Sequence, residues 1–90
     1  MRAVGTVRGV RRYEIPPLFA NQPAQPVTRI ALDFQLATDD SGARLDPTDY
    51  VGLEFEGPPA LADQVHVGDR VAIVTTTPSG MHIATIEPLH

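Results

Sequence analysis

The segment from Leu61 to Val74, LADQVHVGDRVAIV, constrains the fold more than any other part of the sequence. At its centre lies Gly68-Asp69, a dipeptide that permits a tight turn because glycine tolerates a positive φ. β-branched residues follow the turn and predict a strand from Val71 to Thr77. A short polar segment that leads through a turn into a late strand is typical of small closed barrels, so we expect an all-β domain.

Alternation of apolar and polar residues predicts the other strands. Gly5 and Gly9 interrupt the first strand pattern, and they indicate a bulge or a sharp bend in a long first strand. The second strand alternates strictly, so we expect it to be half buried and to form a hairpin with the third strand around a long tip. The predicted strands span residues 2–14, 28–37, 50–56, 71–77 and 81–88.

Two connections differ in character. Residues 15–27 contain four prolines, which lack the backbone donor and disfavour helix, so they predict a loop. We expect Leu18 and Phe19 to anchor its first half on the body of the domain and residues 20–25 to be mobile. Residues 60–64 are the only segment with helical propensity, and their length allows about one and a half turns.

The inward-facing residues of each strand predict the hydrophobic core, because side chains alternate between the two faces of a sheet. We expect the core to contain Val7, Ile30, Leu32, Phe34, Val51, Leu53, Phe55, Leu61, Val71, Ile73 and Ile83.

Five short strands with one helical link between the third and fourth match the plan of the OB-fold, a five-stranded Greek-key barrel. The run Phe55-Glu56-Gly57, the short polar segment after it, the turn Val67-Gly68-Asp69-Arg70-Val71 and the closing strand resemble small single-stranded-DNA-binding and related OB-fold domains. Similar turns also occur in SH3-like barrels. The resemblance covers most of the chain. It implies one domain over residues 1–90 that binds oligonucleotides on strands two and three and the adjacent loops.

Charge is distributed unevenly along the chain. Residues 1–30 carry five arginines and one glutamate, a net charge of +4, whereas residues 31–90 carry a net charge of −8. This asymmetry indicates either a basic binding edge on an acidic body or scattered surface charge.

Basic and aromatic side chains of the first strand and its loop form a candidate nucleic-acid site. Arginine pairs with phosphate and stacks on bases, and aromatic rings stack on bases. The outward residues of strands two and three include Asp33, Glu54 and Glu56, which would repel phosphate. We therefore expect a nucleic acid to contact Arg8, Arg11, Arg12, Tyr13, Phe19 and Arg29 instead. The structural alternative for Phe19 is that it seals one end of the core.

Catalytic, metal and cofactor motifs are absent from the sequence. Its three histidines lack zinc-ligand spacing, and there is no cysteine for a disulfide or a thiolate zinc site. The carboxylates of Asp39, Asp40, Asp46 and Asp49 lie among turn residues, which indicates solvated turns. Neither a nucleophile elbow nor a glycine-rich phosphate loop is present. We expect a binding module, with no enzymatic activity and no cofactor.

Two functions stay open at this stage. One is an oligonucleotide-binding module for single-stranded nucleic acid. The other is a protein-interaction or assembly module, which would bind a protein partner or associate with itself through a strand edge. No apolar run approaches the length of a membrane span, and the N-terminal residues lack the apolar core of a signal peptide. We therefore expect a cytoplasmic protein without a membrane partner.

Overall fold

In the residues that the structure describes, five strands and two short 3₁₀ helices form an all-β domain. The computed structural model describes residues 1–50, 52–76 and 81–89. The strands are β1 (Arg2–Ile15), β2 (Gln25–Thr38), β3 (Glu54–Gly57), β4 (Arg70–Thr75) and β5 (Ile83–Pro88). The first 3₁₀ helix spans Pro47–Tyr50, and the second spans Pro59–Asp63. The all-β class, the five strands and the short helical link between β3 and β4 are therefore confirmed.

The strands form one antiparallel sheet in the order β3-β2-β1-β4-β5. Across the described residues the sheet is not closed into a barrel. Its two outer strands approach each other at an isolated parallel bridge between Glu56 and His82. The Glu56 amide donates a hydrogen bond to the Met81 carbonyl at 2.8 Å beside this bridge.

β1 is a long, bulged strand, as its glycines predict. It pairs with β2 over its whole length, and residues Arg2 to Thr6 pair with β4 on the other side. The register against β2 shifts between Val4 and Gly5 and again between Val7 and Gly9. The second half of β1 therefore extends beyond β4 and pairs with β2 alone, and we call these two paired segments the arm; β3 pairs with the β2 side of the arm from Thr28 to Ala31. We call the connection at the end of this arm, residues 16–24, the β1–β2 loop.

Two strand boundaries differ from the sequence prediction by three residues or more, and the others by one or two. β2 begins at Gln25 rather than at residue 28, and its Pro26 pairs with Glu14. This is possible because β3 pairs with β2 only from Thr28 onwards, so the missing donor of Pro26 lies on an open edge. β3 begins at Glu54 rather than at residue 50, because Tyr50 ends the first 3₁₀ helix and Gly52, whose φ is +85°, lies in a turn. β4 ends at Thr75; residue 77, where its end was expected, and the turn expected at residues 78–80 lie outside the described residues.

The core lies between the sheet and the second 3₁₀ helix. Most of its predicted members are buried: Val7, Ile30, Leu32, Phe55, Leu61, Val71 and Ile73. Phe34 and Ile83 are partly buried and pack against them. Leu53 is 40% exposed, so its assignment to the core was wrong; it precedes β3 and is not paired with β2. Val51 lies outside the described residues.

Gly5 is a position where any side chain would be strained. A Cβ at Gly5 would clash with the backbone carbonyl oxygen of Asp33, whereas a Cβ at Gly9 would meet only the Ala31 Cβ, at 4.0 Å. We expect Gly5→Ala to lower the free energy of unfolding by about 1–3 kcal/mol, the usual cost of overpacking. Gly9→Ala should be neutral or slightly stabilising, because alanine has less backbone freedom to lose. Urea denaturation of both variants measures the difference; equal midpoints would contradict the close approach at Gly5.

Among the described side chains, Phe55 is the largest that is fully buried. We expect Phe55→Ala to lower the free energy of unfolding by about 3–5 kcal/mol because it leaves a cavity in the core. The matched control is Leu53→Ala, because Leu53 lies two residues before Phe55 and is exposed. This variant should change the free energy of unfolding by about 0.5 kcal/mol or less. Comparable losses in the two variants, measured by thermal or urea unfolding, would show that the register of β3 is misassigned.

Candidate binding face

The outward surface of β1, β2 and β3 carries two rows of cross-strand neighbours. Arg11 pairs with Arg29, which pairs with Glu56, and the next row ends at Glu54. Residues opposite one another in a sheet point to the same side, so the side chains in these rows share one face. Tyr13 lies two residues beyond Arg11 and shares the same face. We call Arg11, Tyr13, Arg29, Glu54 and Glu56 the charged face.

Ion pairs join the strands across this face. Arg11 binds Glu54 through two contacts, from Nε to Oε2 at 2.8 Å and from Nη2 to Oε1 at 2.7 Å. Arg29 Nη2 lies 3.6 Å from Glu56 Oε1. Nδ1 of His82 lies 3.1 Å from the other carboxylate oxygen of Glu56. Nearer the start of β1, Arg8 Nη1 lies 3.8 Å from Asp33 Oδ1.

The Tyr13 ring lies against two guanidinium groups. The Cζ atom of Arg29 is 4.0 Å from the ring centroid, and that of Arg11 is 5.1 Å away. Both distances are within the range of cation–π attraction. The structure thus brings together three of the predicted site residues, Arg11, Tyr13 and Arg29.

Arg12 does not belong to this face. It is opposite Thr28, which is fully buried, so its side chain leaves the sheet on the other side. Its Nη2 atom lies 2.8 Å from Asp63 Oδ1 in the second 3₁₀ helix. Arg12 therefore lies apart from Arg11 and Arg29, because neighbouring residues of a strand point to opposite faces.

Leu18 and Phe19 project from the β1–β2 loop. Leu18 is 90% exposed and Phe19 is 64% exposed, so neither anchors the loop on the body of the domain and Phe19 does not seal the core. The Phe19 carbonyl accepts a hydrogen bond from the Gln22 amide at 3.0 Å, which forms a turn at the end of the loop. The two side chains therefore face solvent beside the arm.

An apolar groove lies at the base of the same loop. It has a volume of about 450 Å³. Ile15 and Gln25, the residues that flank the loop, both line it, and its other apolar walls come from Pro26, Val27, Pro58, Pro59 and Ile83. Of the described residues that line the groove, Glu56 supplies the one carboxylate, and His82 contacts that carboxylate.

The acidic segment between β2 and β3 is organised by its own hydrogen bonds. Asp39 Oδ1 accepts hydrogen bonds from the Ser41 hydroxyl and from two backbone amides, and the Ser41 bond above all lowers the pKa of Asp39. Asp46 Oδ1 accepts from the Thr48 hydroxyl and amide, which lowers the pKa of Asp46. The carboxylates of Asp39 and Asp46 therefore stabilise the local turns of this segment. Among the described residues, no group of three His, Cys, Asp or Glu side chains could hold a metal ion.

Comparison with known proteins returns no match: no family model fits the sequence, and neither a curated protein nor a solved structure is significantly similar to it. Within the described part of the chain, no helix has the length and apolar character needed to span a membrane.

Sequence reasoning treated Glu54 and Glu56 as repulsive to a ligand and missed that they are partners of Arg11 and Arg29. Only the strand register reveals this pairing, because the pairs lie far apart in the chain. It also missed the exposed loop tip, although a signal was present. The signal is the long, proline-rich loop itself, since residues 15–28 contain no charged side chain and long loops in a compact domain are usually functional or disordered.

The bidentate contact with Arg11 holds the pKa of Glu54 below its usual value, mainly through the side-chain hydrogen bond. A lowered pKa of Glu54 in the folded chain adds to the free energy of unfolding at pH values above the usual glutamate pKa. This contribution is lost as the pH falls through the lowered pKa of the folded state. We expect Arg11→Gln to raise the Glu54 pKa towards its usual value of about 4.3. Wild type and variant should then differ in stability near neutral pH and converge in acid.

NMR titration of the Glu54 carboxyl carbon measures this change directly. Arg12→Gln is the matched control, because Arg12 contacts Asp63 on the other side of the sheet. It should leave the Glu54 pKa where it is. A Glu54 pKa that does not respond to Arg11→Gln would show that the bidentate pair does not form in solution.

Proposed function

We propose that this chain is a binding module built on an OB-like Greek-key barrel that stays partly open, and that its ligand is a protein. The strand order supports the barrel, because β1 lies between β2 and β4 and the outer strands β3 and β5 approach in parallel at Glu56 and His82. The second 3₁₀ helix lies between β3 and β4, where the OB plan has its helical link. A sheet with this strand order fits the proposed Greek-key plan.

The observation that carries the choice of ligand is the pairing of the arginines. Arg8, Arg11, Arg12 and Arg29 each contact a carboxylate. A nucleic-acid phosphate would have to displace these carboxylates and then lie beside them. Exposed ion pairs contribute little stability themselves, but the displaced negative charge stays next to the phosphate. The net charge of −4 adds long-range repulsion.

The β1–β2 loop supports a protein ligand. Leu18 and Phe19 are adjacent, exposed and free of charged neighbours in sequence. Large apolar and aromatic side chains dominate the energetics of protein interfaces once water is excluded from them. Pro16, Pro17 and Pro23 restrict the backbone on both sides of the tip, which reduces the entropy lost when the loop is ordered on binding.

Single-stranded nucleic acid is a second candidate, and Tyr13 is the observation that favours it. Its ring already packs against Arg11 and Arg29, and Phe19 offers a second exposed ring, so bases could stack on both. Arg8, Arg11 and Arg29 would then exchange their carboxylates for phosphates. Such binding would weaken steeply with salt, with a slope of about −0.7 for each phosphate contact.

Titration of a fluorescent oligothymidylate tests the nucleic-acid candidate. We expect no saturable binding by the wild type at low salt and high micromolar protein, because the arginines are paired. The comparison variant is Arg8→Ala/Arg11→Ala/Arg29→Ala. Saturable binding by the wild type that salt weakens and the triple variant lacks would overturn the choice of a protein ligand.

Photo-crosslinking tests the protein ligand. A photoreactive phenylalanine analogue replaces Phe19 in one form of the chain and Val67 in the control form; Val67 is 67% exposed and lies away from the loop. In cells that express the chain, we expect protein adducts from position 19 that nuclease treatment does not remove, and fewer from position 67. Equal adducts from both positions, or adducts lost on nuclease treatment, would contradict the proposal.

A further inference from the structure

We infer that the partner of the β1–β2 loop is a second copy of this chain, in a two-fold dimer where each loop tip occupies the apolar groove of the other copy. This inference rests on the proposed protein-binding function and names the partner. The loop tip is Leu18 and Phe19, and the groove is the one lined by Ile15, Val27, Pro58, Pro59 and Ile83.

Position is the first argument. Ile15 and Gln25 flank the loop and also line the groove, so the tip and the groove lie at the same end of the molecule. A two-fold axis beside this end brings each tip to the groove of the other copy. The contact is then isologous and closes after two copies, so it does not propagate into a fibre.

Charge is the second argument. Residues 15–28 carry no charge, so the tip enters the groove without burying an ionised group. The groove contributes one carboxylate from the described residues, that of Glu56, which contacts both Arg29 and His82. Neither surface therefore leaves an unpaired charge when the two meet, and a buried unpaired charge would strongly oppose the association.

Size is the third argument. A leucine and a phenylalanine from each copy bury on the order of 150 Å² each, so the two tips bury about 600 Å², and the grooves add a smaller area. The total lies below the range of about 1,200–2,000 Å² for stable specific interfaces and within that of weak contacts. We therefore expect a weak dimer that dissociates at low micromolar concentration and forms at high micromolar concentration.

Sedimentation velocity over this concentration range is the primary experiment. The weight-average mass should rise from 9.7 kDa towards twice that value. Leu18→Ser/Phe19→Ser (the tip variant) should stay monomeric, and so should Pro58→Arg (the groove variant), because arginine places bulk and charge in the groove. The matched control, Val67→Ser, removes an equally exposed apolar side chain elsewhere and should dimerise as the wild type does.

All three variants change exposed side chains, so circular dichroism and thermal unfolding should match the wild type. Gln25→Arg replaces the groove variant if Pro58→Arg unfolds.

A mixing experiment distinguishes this dimer from a simple tip-to-tip contact. The tip variant retains an open groove, and the groove variant retains an intact tip. Their mixture can form one of the two contacts, so it should associate more strongly than either variant alone. A groove variant that dimerises normally would overturn the inference, because a tip-to-tip contact does not need the groove.

Failure of the dimer and failure of the proposed function give different results. A wild-type chain that stays monomeric at millimolar concentration overturns the second copy as partner. If position 19 still crosslinks to a different protein in cells, the protein-binding function stands with another partner. If position 19 gives no protein adduct and the chain stays monomeric, both proposals are wrong.

Discussion

The pairing of β1 with β2 is the constraint on which the rest of the structure depends. The two strands run together from the pair Arg2–Thr38 to the pair Ile15–Gln25, and only the first five residues of β1 also pair with β4. One strand thus belongs to the core in its first half and to the projecting arm in its second half. The close approach of Gly5 to the Asp33 carbonyl, beside the first register shift, is what allows the sheet to bend between these two roles.

This pairing also determines which charges meet. Arg11 lies directly opposite Arg29, and like charges in that position destabilise a sheet. Three neighbours offset the repulsion: Glu54 binds Arg11, Glu56 lies beside Arg29, and the Tyr13 ring packs against both guanidinium groups. The acidic strand β3 is therefore a partner of the basic arm. This explains how a strand that carries two glutamates and a basic hairpin can occupy the same face.

Sequence reasoning predicted what depends on local pattern and missed what depends on register. Alternation identified the strands, and glycine identified the bulges and the turn at Gly68, whose φ is +96°. Val7 and Val10 illustrate the limit. They are three residues apart and so differ in parity, yet Val7 lies in the core and Val10 packs against it, because the register shift between Val7 and Gly9 separates them. A sequence does not show how many residues a bulge absorbs. The partners of Arg11 and Arg29 depend on the register of β1, β2 and β3, which the sequence does not show either, whereas the side taken by Arg12 follows from its alternation with Arg11.

Some exposed side chains already contact another side chain, as Arg11 does, and others are largely exposed to water, as Leu18 and Phe19 are. This difference determines where a ligand gains most by binding. A ligand that approaches Arg11 must first compete with a bidentate carboxylate contact, so part of any new interaction replaces an existing one. A ligand that covers Leu18 and Phe19 displaces only water from apolar surface, and its gain is not reduced by a lost contact. Because those two side chains contribute nothing to the core, the loop can vary in sequence without a cost in stability. The arginines of the charged face already contact carboxylates of neighbouring strands. The uncharged loop is therefore the surface that gains most from binding a partner.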